Sequence, residues 1–324
     1  MPITLQVLLL TATALYQAIA CWLEDRHSPA GQLIDVGGYR LHLWVSGKAP
    51  LNCPTIVLDH SLGGVEGYLL MQELAKLTRV CIYDRAGYGW SDHSPHARSS
   101  QHIVAELDTM LTRASIEPPY LLIGNSLGSY NVRLYAARYP GKVVGMVLTE
   151  GFHEAALLKM PRVVRALQLF FLSGFLMSVL GSSLGIVRLL KLAGVFEWLK
   201  PELRQFSPAA LRAVKRSFCR PKHWITMSRE IWNLDVSGRE LRQADQFESL
   251  PIATIKAGAF FHSSAWTLGL PLQAANRLRD EIHKQLLKLS TNCTPFSALR
   301  SGHFVWVDQP AAILEATKTI LEKV

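Results

Sequence analysis

The sequence predicts an α/β protein with a mostly parallel sheet and one helical insertion. Three observations lead there. Short apolar runs alternate with helical stretches up to about residue 151, the segment from Phe152 to Leu250 is helical and poor in strands, and the alternation returns at Ile252. Strands joined through helices lie parallel in a sheet that is covered on both faces. At 324 residues, one such domain with an insertion accommodates the chain.

The elements follow in order. Leu33 to Ser46 alternates around Gly37-Gly38 and predicts an antiparallel hairpin. Apolar runs then predict strands at Thr55–His60, Arg79–Asp84, Tyr120–Asn125 and Val143–Thr149, with helices at about Glu66–Leu77, Ser99–Ala114 and Leu127–Tyr139. After the insertion we expect a strand at Ile252–Lys256, a helix at about Gln273–Ser290, a strand leading into Ser301 and a last helix from Pro310.

One motif in this pattern carries chemistry, the segment Gly124-Asn125-Ser126-Leu127-Gly128 between a strand and a helix. In that context G-x-S-x-G is typical of a nucleophile elbow. The serine occupies a strained turn that projects its hydroxyl above the sheet, and side chains two residues before and after it would collide there, which favours glycine. Ser126 is therefore the candidate nucleophile.

With this motif and three others the chain resembles the α/β-hydrolase superfamily, in a broad bacterial branch, along nearly all of its length after residue 30. The other stretches are Tyr83-Asp84-Arg85-Ala86-Gly87-Tyr88-Gly89-Trp90-Ser91, Leu134-Tyr135-Ala136-Ala137-Arg138-Tyr139-Pro140, and Ser301-Gly302-His303-Phe304 followed by Asp308-Gln309-Pro310. The resemblance implies an eight-stranded, mostly parallel sheet with a helical cap after strand six. The expected organisation is an N-terminal apolar segment (1–23), a core in two parts (31–151 and 251–324) and a cap or lid (152–250).

A serine hydroxyl is a weak nucleophile and needs an adjacent base. His303 lies on a Ser-Gly-His turn after the last strand and matches the superfamily's Ser…acid…His order. In many relatives the acid follows strand seven in a Gly-x-x-Asp turn, but residues 257–264 contain no carboxylate. We therefore predict Glu150, at the end of strand six, as the acid that orients His303. Asp280 is the reserve candidate, and a carboxylate that merely caps the entry to the lid is the non-catalytic alternative for Glu150.

An acyl-transfer site also needs two backbone N–H groups for the oxyanion. We predict Leu127, directly after the nucleophile, and Leu62, in the loop after strand three, with Ser61 as the alternative to Leu62. His60 is interpreted as a brace for that loop, and Asp84 and Arg85 as side chains that pair with neighbouring loops. Three tryptophans, Trp224, Trp232 and Trp266, could line an acyl pocket or simply pack in the core.

Two apolar segments bear on the membrane. Residues 1–23 contain no charged side chain and are about long enough to span a ~30 Å hydrocarbon core. An uncleaved anchor is the simplest interpretation; the alternatives are a signal peptide cleaved after Ala18-Ile19-Ala20, with export, or a lipoprotein signal ending at Cys21. Glu24, Asp25 and Arg26 nearly cancel, so the orientation is not determined.

The second apolar segment, between Arg165 and Arg188, has 22 residues without a charge. We interpret it as the underside of a lid that could touch a membrane, broken into short helices by Gly174, Gly181, Ser182-Ser183 and Gly185. The surrounding residues 155–222 contain twelve Lys or Arg against two Glu, so this segment alone carries a charge of +10 and the rest of the chain, whose total is +9, is close to neutral. An anionic membrane surface, an anionic substrate or a plainly solvated helix face would each explain that charge.

Together these features predict a serine hydrolase of carboxylic esters with a hydrophobic acyl or alcohol group. A thioesterase, a C–C hydrolase or aminopeptidase with the same triad, and a non-catalytic ligand-binding protein are the alternatives. Serine at the elbow disfavours the dehalogenase and epoxide hydrolase chemistry that uses aspartate there. No nucleic-acid motif, nucleotide signature, metal or cofactor is indicated, and the five scattered cysteines form neither a metal-ligand nor a disulfide pattern.

Overall fold

The computed structural model describes residues 3–50, 53–242, 244–260 and 271–324. Eight strands form one sheet in the order β1-β2-β4-β3-β5-β6-β7-β8. Their bounds are β1 Gln32–Asp35, β2 Arg40–Ser46, β3 Thr55–Asp59, β4 Val80–Asp84, β5 Tyr120–Asn125, β6 Val143–Thr149, β7 Ile252–Ala257 and β8 Cys293–Ala298. The hairpin β1–β2 and the pair β2–β4 are antiparallel, and the other pairs are parallel. The predicted eight-stranded, mostly parallel sheet is confirmed.

Helices cover both faces of this sheet. The helices outside the insertion are α1 Ile3–Asp25, α2 Gly67–Leu74, α3 Ser100–Arg113, α4 Gly128–Arg138, α12 Leu272–Leu286, α13 Val305–Asp308 and α14 Pro310–Leu321. One buried apolar cluster packs α3 and α4 against the sheet, and a second packs α2 and α14 against the opposite face. Strands β3, β4 and β5 are consequently buried along their whole length, which accounts for their continuous apolar runs.

All the secondary-structure elements that the structure describes between β6 and β7 are helices. The helices are α5 Glu154–Leu157, α6 Arg162–Ser183, α7 Ile186–Leu192, α8 Val195–Leu199, α9 Pro208–Phe218, α10 Pro221–Trp232 and α11 Leu234–Glu240. We refer to α5–α11 as the cap. Helices α6 and α10 pack against each other, and Arg85 at the end of β4 reaches Glu230 on α10, so the cap is tied to the sheet edge where the candidate site lies.

The apolar segment of the cap differs from the sequence prediction. Helix α6 is continuous through Gly174 and Gly181 for 22 residues, so the predicted division into short helices is wrong. A glycine inside a helix costs only ~1 kcal/mol relative to alanine, and the neighbouring leucines and phenylalanines favour the helix. The break comes at Gly185, whose φ of +77° is left-handed. Both α1 and α6 are long and apolar enough to cross a membrane.

Candidate active site

Ser126 lies in the turn between β5 and α4. Its φ is +51°, a left-handed conformation that costs free energy for a residue with a side chain, and its N–H donates to Thr149 O at 2.9 Å. The flanking glycines are required sterically. A Cβ on Gly124 would lie 2.6 Å from Val132 Cγ2, and one on Gly128 would lie 2.4 Å from Asp59 O. The predicted elbow is therefore present, with its serine aimed at the cap.

The predicted base and acid meet at this serine. His303 Nε2 lies 3.0 Å from Ser126 Oγ, and His303 Nδ1 lies 3.2 Å from Glu150 Oε2. The Trp306 ring packs nearly perpendicular to the imidazole, with 5.7 Å between ring centroids. Ser126 and Glu150 lie 177 and 153 positions before His303 in the chain, yet the three form one hydrogen-bonded relay. Its geometry lets the imidazole take a proton from the hydroxyl.

The carboxylate of Glu150 is held from several sides. Glu150 directly follows β6, has a φ of +45° and donates its N–H to Ile255 O at 2.9 Å. Its Oε1 accepts the N–H of Ala257 at 2.7 Å, which leaves Oε2 for His303. Asp280, the reserve candidate, is half-exposed and pairs with Lys256 at 2.8 Å. The structure therefore brings Glu150, and not Asp280, to the imidazole.

The two predicted oxyanion donors border the same space. Leu62 and Leu127 line the cavity beside Ser126, and among the described residues neither of their N–H groups donates a hydrogen bond to the protein. The alternative donor, Ser61, is occupied because its N–H donates to the Glu66 carboxylate. This favours Leu62 over Ser61 as the partner of Leu127.

The loop that carries Leu62 is fixed by buried groups. Glu66 accepts the N–H of Ser61 and, at 3.2 Å, that of Val65. Burial alone would raise the pKa of Glu66, but the neighbouring His60 and the backbone N–H groups of Ser61 and of Glu66 itself outweigh burial and lower the pKa to about 2. His60 Nε2 in turn donates to Tyr83 O at 2.9 Å, and its Nδ1 accepts the Gly67 N–H at 3.0 Å. The predicted brace is confirmed.

Arg85 is the second support of that loop. Its guanidinium is fully buried and donates to Asp59 at 2.6 Å, to both oxygens of Glu230 at 2.9 Å, and to the carbonyl oxygens of His60 and Ser61 at 2.7 Å. We call Arg85, Asp59 and Glu230 the core ionic cluster. It links β3, β4 and the cap beneath the oxyanion loop, as the interpretation of Arg85 predicted.

A cavity of about 290 Å³ opens beside Ser126. Helix α6 lines it with Val164, Leu167, Phe171 and Phe175, and helices α10 and α12 add Met227, Ile231, Leu278 and Ile282. Trp224 and Trp232 do not line it and Trp266 lies outside the described residues, whereas Trp306 does. The α6 residues were missed from the sequence, although their spacing of three or four marks one helical face.

Among the described residues, no group of three or more His, Cys, Asp or Glu side chains is arranged to hold a metal ion. The five cysteines are free.

Comparisons with known proteins agree with this architecture. An AB hydrolase superfamily protein from Gibberella zeae is 25% identical over 277 residues, covering 78% of this chain and 80% of that protein. A vacuolar membrane protein of uncharacterised function from Saccharomyces cerevisiae is 38% identical over 115 residues, 33% of this chain, and the match spans only 17% of the yeast protein. Among solved structures, the epoxide hydrolase CorEH matches with a TM-score of 0.65 at 14% identity, over 90% of this chain and 98% of that one.

Because the sequence identity to CorEH is so low, this structural match shows the fold alone. The sequence model of the alpha/beta hydrolase fold matches residues 54–310, which include the elbow, Glu150 and His303. The family and its fold support a hydrolase. The chain belongs to the α/β-hydrolase fold family.

Proposed function

We propose that this protein is a serine hydrolase that cleaves a carboxylic ester with a hydrophobic acyl or alcohol group through an acyl-serine intermediate. The observation that carries the proposal is the relay Ser126–His303–Glu150 at the wall of an apolar cavity. The cavity would hold the apolar part of the ester, while the relay attacks its carbonyl carbon.

The reaction follows from the geometry. His303 Nε2 takes the hydroxyl proton as Ser126 Oγ bonds to the ester carbon, and the N–H groups of Leu62 and Leu127 stabilise the oxyanion. Glu150 stabilises the imidazolium and keeps the ring oriented. The imidazolium then gives its proton to the leaving alcohol. Water, deprotonated by the same imidazole, attacks the acyl-serine and releases the acid and free Ser126.

Other reactions use the same groups. Thioester or C–C cleavage needs the same nucleophile and base, so substrate profiling has to separate them from ester hydrolysis. Epoxide opening in this superfamily proceeds through an aspartate at the elbow, and position 126 is a serine. A non-catalytic ligand-binding protein would have no need of the strained Ser126 turn and the 3.0 Å contact to His303.

The membrane belongs to the proposal as well. The exposed apolar helix α1 and the likeness to a vacuolar membrane protein support attachment to a bilayer, and an apolar ester would reach the cavity from there. We do not expect nucleic acid as a partner, because the cations of the cap lie among exposed leucines and phenylalanines.

The test is labelling with a fluorophosphonate, which reacts only with an activated serine, followed by mass spectrometry of the adduct. An adduct on Ser126 that disappears in Ser126→Ala supports the proposal, and Ser297→Ala, at an exposed position of β8, is the control. A folded protein without an adduct would leave the ligand-binding alternative. Hydrolysis rates of p-nitrophenyl esters from acetyl to dodecanoyl then test the apolar cavity, since equal rates would contradict a hydrophobic substrate.

A further inference from the structure

The end of helix α1 is joined to the cap by ion pairs. Arg188 Nη1 lies 2.5 Å from Glu24 Oε1, and Arg220 Nη2 lies 2.8 Å from Glu24 Oε2. Asp25 contacts Arg216 at 2.7 Å and Arg220 at 2.8 Å. The three arginines are buried in the cap. Each would be an uncompensated buried charge if α1 were absent, so the cap is built around these two carboxylates.

Nearer the N-terminus of α1, the buried side-chain amide of Gln17 adds to this contact. Gln17 is 3% exposed; its Nε2 donates to Cys219 O at 2.7 Å, and its Oε1 accepts from Arg188 Nε at 2.7 Å. Helix α1 also lies close to the turn between α6 and α7, since a Cβ on Gly185 would lie 2.5 Å from Thr13 O. We call Gln17, Glu24 and Asp25, together with Arg188, Arg216 and Arg220, the clasp.

The clasp gives α1 an inverted arrangement of polar and apolar faces. Over its last three turns the face toward the cap is formed by Thr13, Ala14, Gln17, Cys21 and Glu24. The opposite face exposes Leu15, Ile19, Trp22 and Leu23, with Leu15 61% and Trp22 55% exposed. A helix on a water-soluble protein buries its apolar face and exposes its polar one. The reverse order is what a hydrocarbon solvent would favour.

Helix α6 continues the same surface. One of its apolar faces lines the cavity at Val164, Leu167, Phe171 and Phe175. The other points outward, where Leu169, Phe170, Leu176, Met177 and Leu180 are each between 54% and 67% exposed. Helix α7 adds the exposed Leu189, Leu190 and Leu192. We call the exposed apolar residues of α1, α6 and α7 the outer surface; a patch of this extent marks an interaction site.

We propose that α1 is retained in the mature protein, and that the clasp locks it to the cap so that the whole outer surface is embedded in a lipid bilayer, with α6 as the wall between the bilayer and the cavity. The 23 residues of α1 span about 34 Å at ~1.5 Å per residue, which matches the ~30 Å of a hydrocarbon core. Five exposed cations of the cap have no ion-pair partner among the described residues, namely Lys159, Arg162, Arg204, Arg212 and Arg239. Such cations suit anionic headgroups.

The location of the outer surface can be tested independently of the reaction at Ser126. The full chain, with Met177→p-benzoylphenylalanine on α6, is reconstituted in vesicles of phosphatidylcholine and phosphatidylglycerol and irradiated. We expect lipid adducts at position 177 and none with the same photoreactive residue at Lys318, an exposed position of α14 in the α/β core. A covalent dimer at 177 in place of lipid adducts would show a second copy as the occupant, and no adduct would place α6 in water; either outcome overturns the proposal.

The clasp needs its own variants. Arg188→Glu with Arg220→Glu should abolish most lipid adducts at position 177 while the protein still sediments with vesicles through α1. Adding Glu24→Arg and Asp25→Arg should restore them, and Lys318→Glu, which reverses an exposed cation of the α/β core outside the clasp, should leave them unchanged. Unchanged adducts in the Arg188/Arg220 variant would overturn the role of the clasp. Intact mass after extraction should include residues 1–20, and a mature chain beginning at Cys21 would overturn retention.

Discussion

Two of the ion-pair clusters of this molecule, the core ionic cluster and the clasp, differ in how far their carboxylates are exposed. In the core ionic cluster Arg85, Asp59 and Glu230 are all 0% exposed. In the clasp the arginines are buried, but Glu24 is 25% and Asp25 53% exposed. A buried charge that loses its partner cannot be rescued by water, whereas a half-exposed one can. Substitutions in the core ionic cluster should therefore lower the free energy of unfolding much more than substitutions in the clasp.

The largest effect should come from the carboxylate in the relay. Glu150→Gln keeps the shape of the side chain but carries no charge to stabilise the imidazolium, so ester hydrolysis and the rate of fluorophosphonate labelling should fall by about 10³–10⁴-fold. Asp280→Asn, which removes a carboxylate paired with Lys256, should change either rate by less than about twofold. Full activity in Glu150→Gln would remove Glu150 from the proposed mechanism.

Next in size should be the loss of a buried cation. Arg85→Met leaves Asp59 and Glu230 buried without their partner, so the free energy of unfolding should fall by about 3–5 kcal/mol. Arg40→Met is the matched control, since Arg40 pairs with Asp92 at the surface and should cost less than about 1 kcal/mol. Denaturant unfolding in mild detergent measures both. Equal costs would mean that burial does not set the difference.

The oxyanion loop offers a pH test of the same contrast. The pKa of Glu66 is lowered from 4.5 to about 2 in the folded protein, so the ionised form stabilises the fold above pH 4.5 and this stabilisation is lost as the pH falls toward 2. A shift of that size corresponds to about 3 kcal/mol at ~1.4 kcal/mol per pKa unit. Glu66→Gln should be less stable at pH 7 and should lose less stability between pH 4.5 and 2.

The control for that experiment lies on the adjoining helix. Glu73 is half-exposed and pairs with Lys76, so Glu73→Gln should follow the wild-type pH profile. If Glu66→Gln lost stability in acid as steeply as the wild type, its carboxylate would not be the group that titrates, and the account of the loop would be wrong.

The same contrast explains what the sequence could predict. Ser126 and Glu150 follow strands with clear apolar runs and His303 follows the last strand, so strand order alone brings them to one edge of the sheet. The clasp was not predicted, because Glu24 and Asp25 appeared as flanking charges that cancel Arg26, and their partners lie more than 160 residues away. The continuous α6 was missed because the two glycines were given more weight than the surrounding leucines and phenylalanines. Contacts of such long range depend on how the cap folds back, which local pattern does not encode.

The smallest effect should come from the most exposed member of the clasp. Asp25→Asn removes the charge opposite Arg216 and Arg220, but about half of its side chain is in contact with solvent, so the free energy of unfolding in mild detergent should fall by less than about 1 kcal/mol. In 1 M salt, where charges are screened beyond ~3 Å, the difference from the wild type should shrink further. A cost as large as that of Arg85→Met would mean that the clasp is as dry as the core cluster, and exposure would no longer separate the two regions.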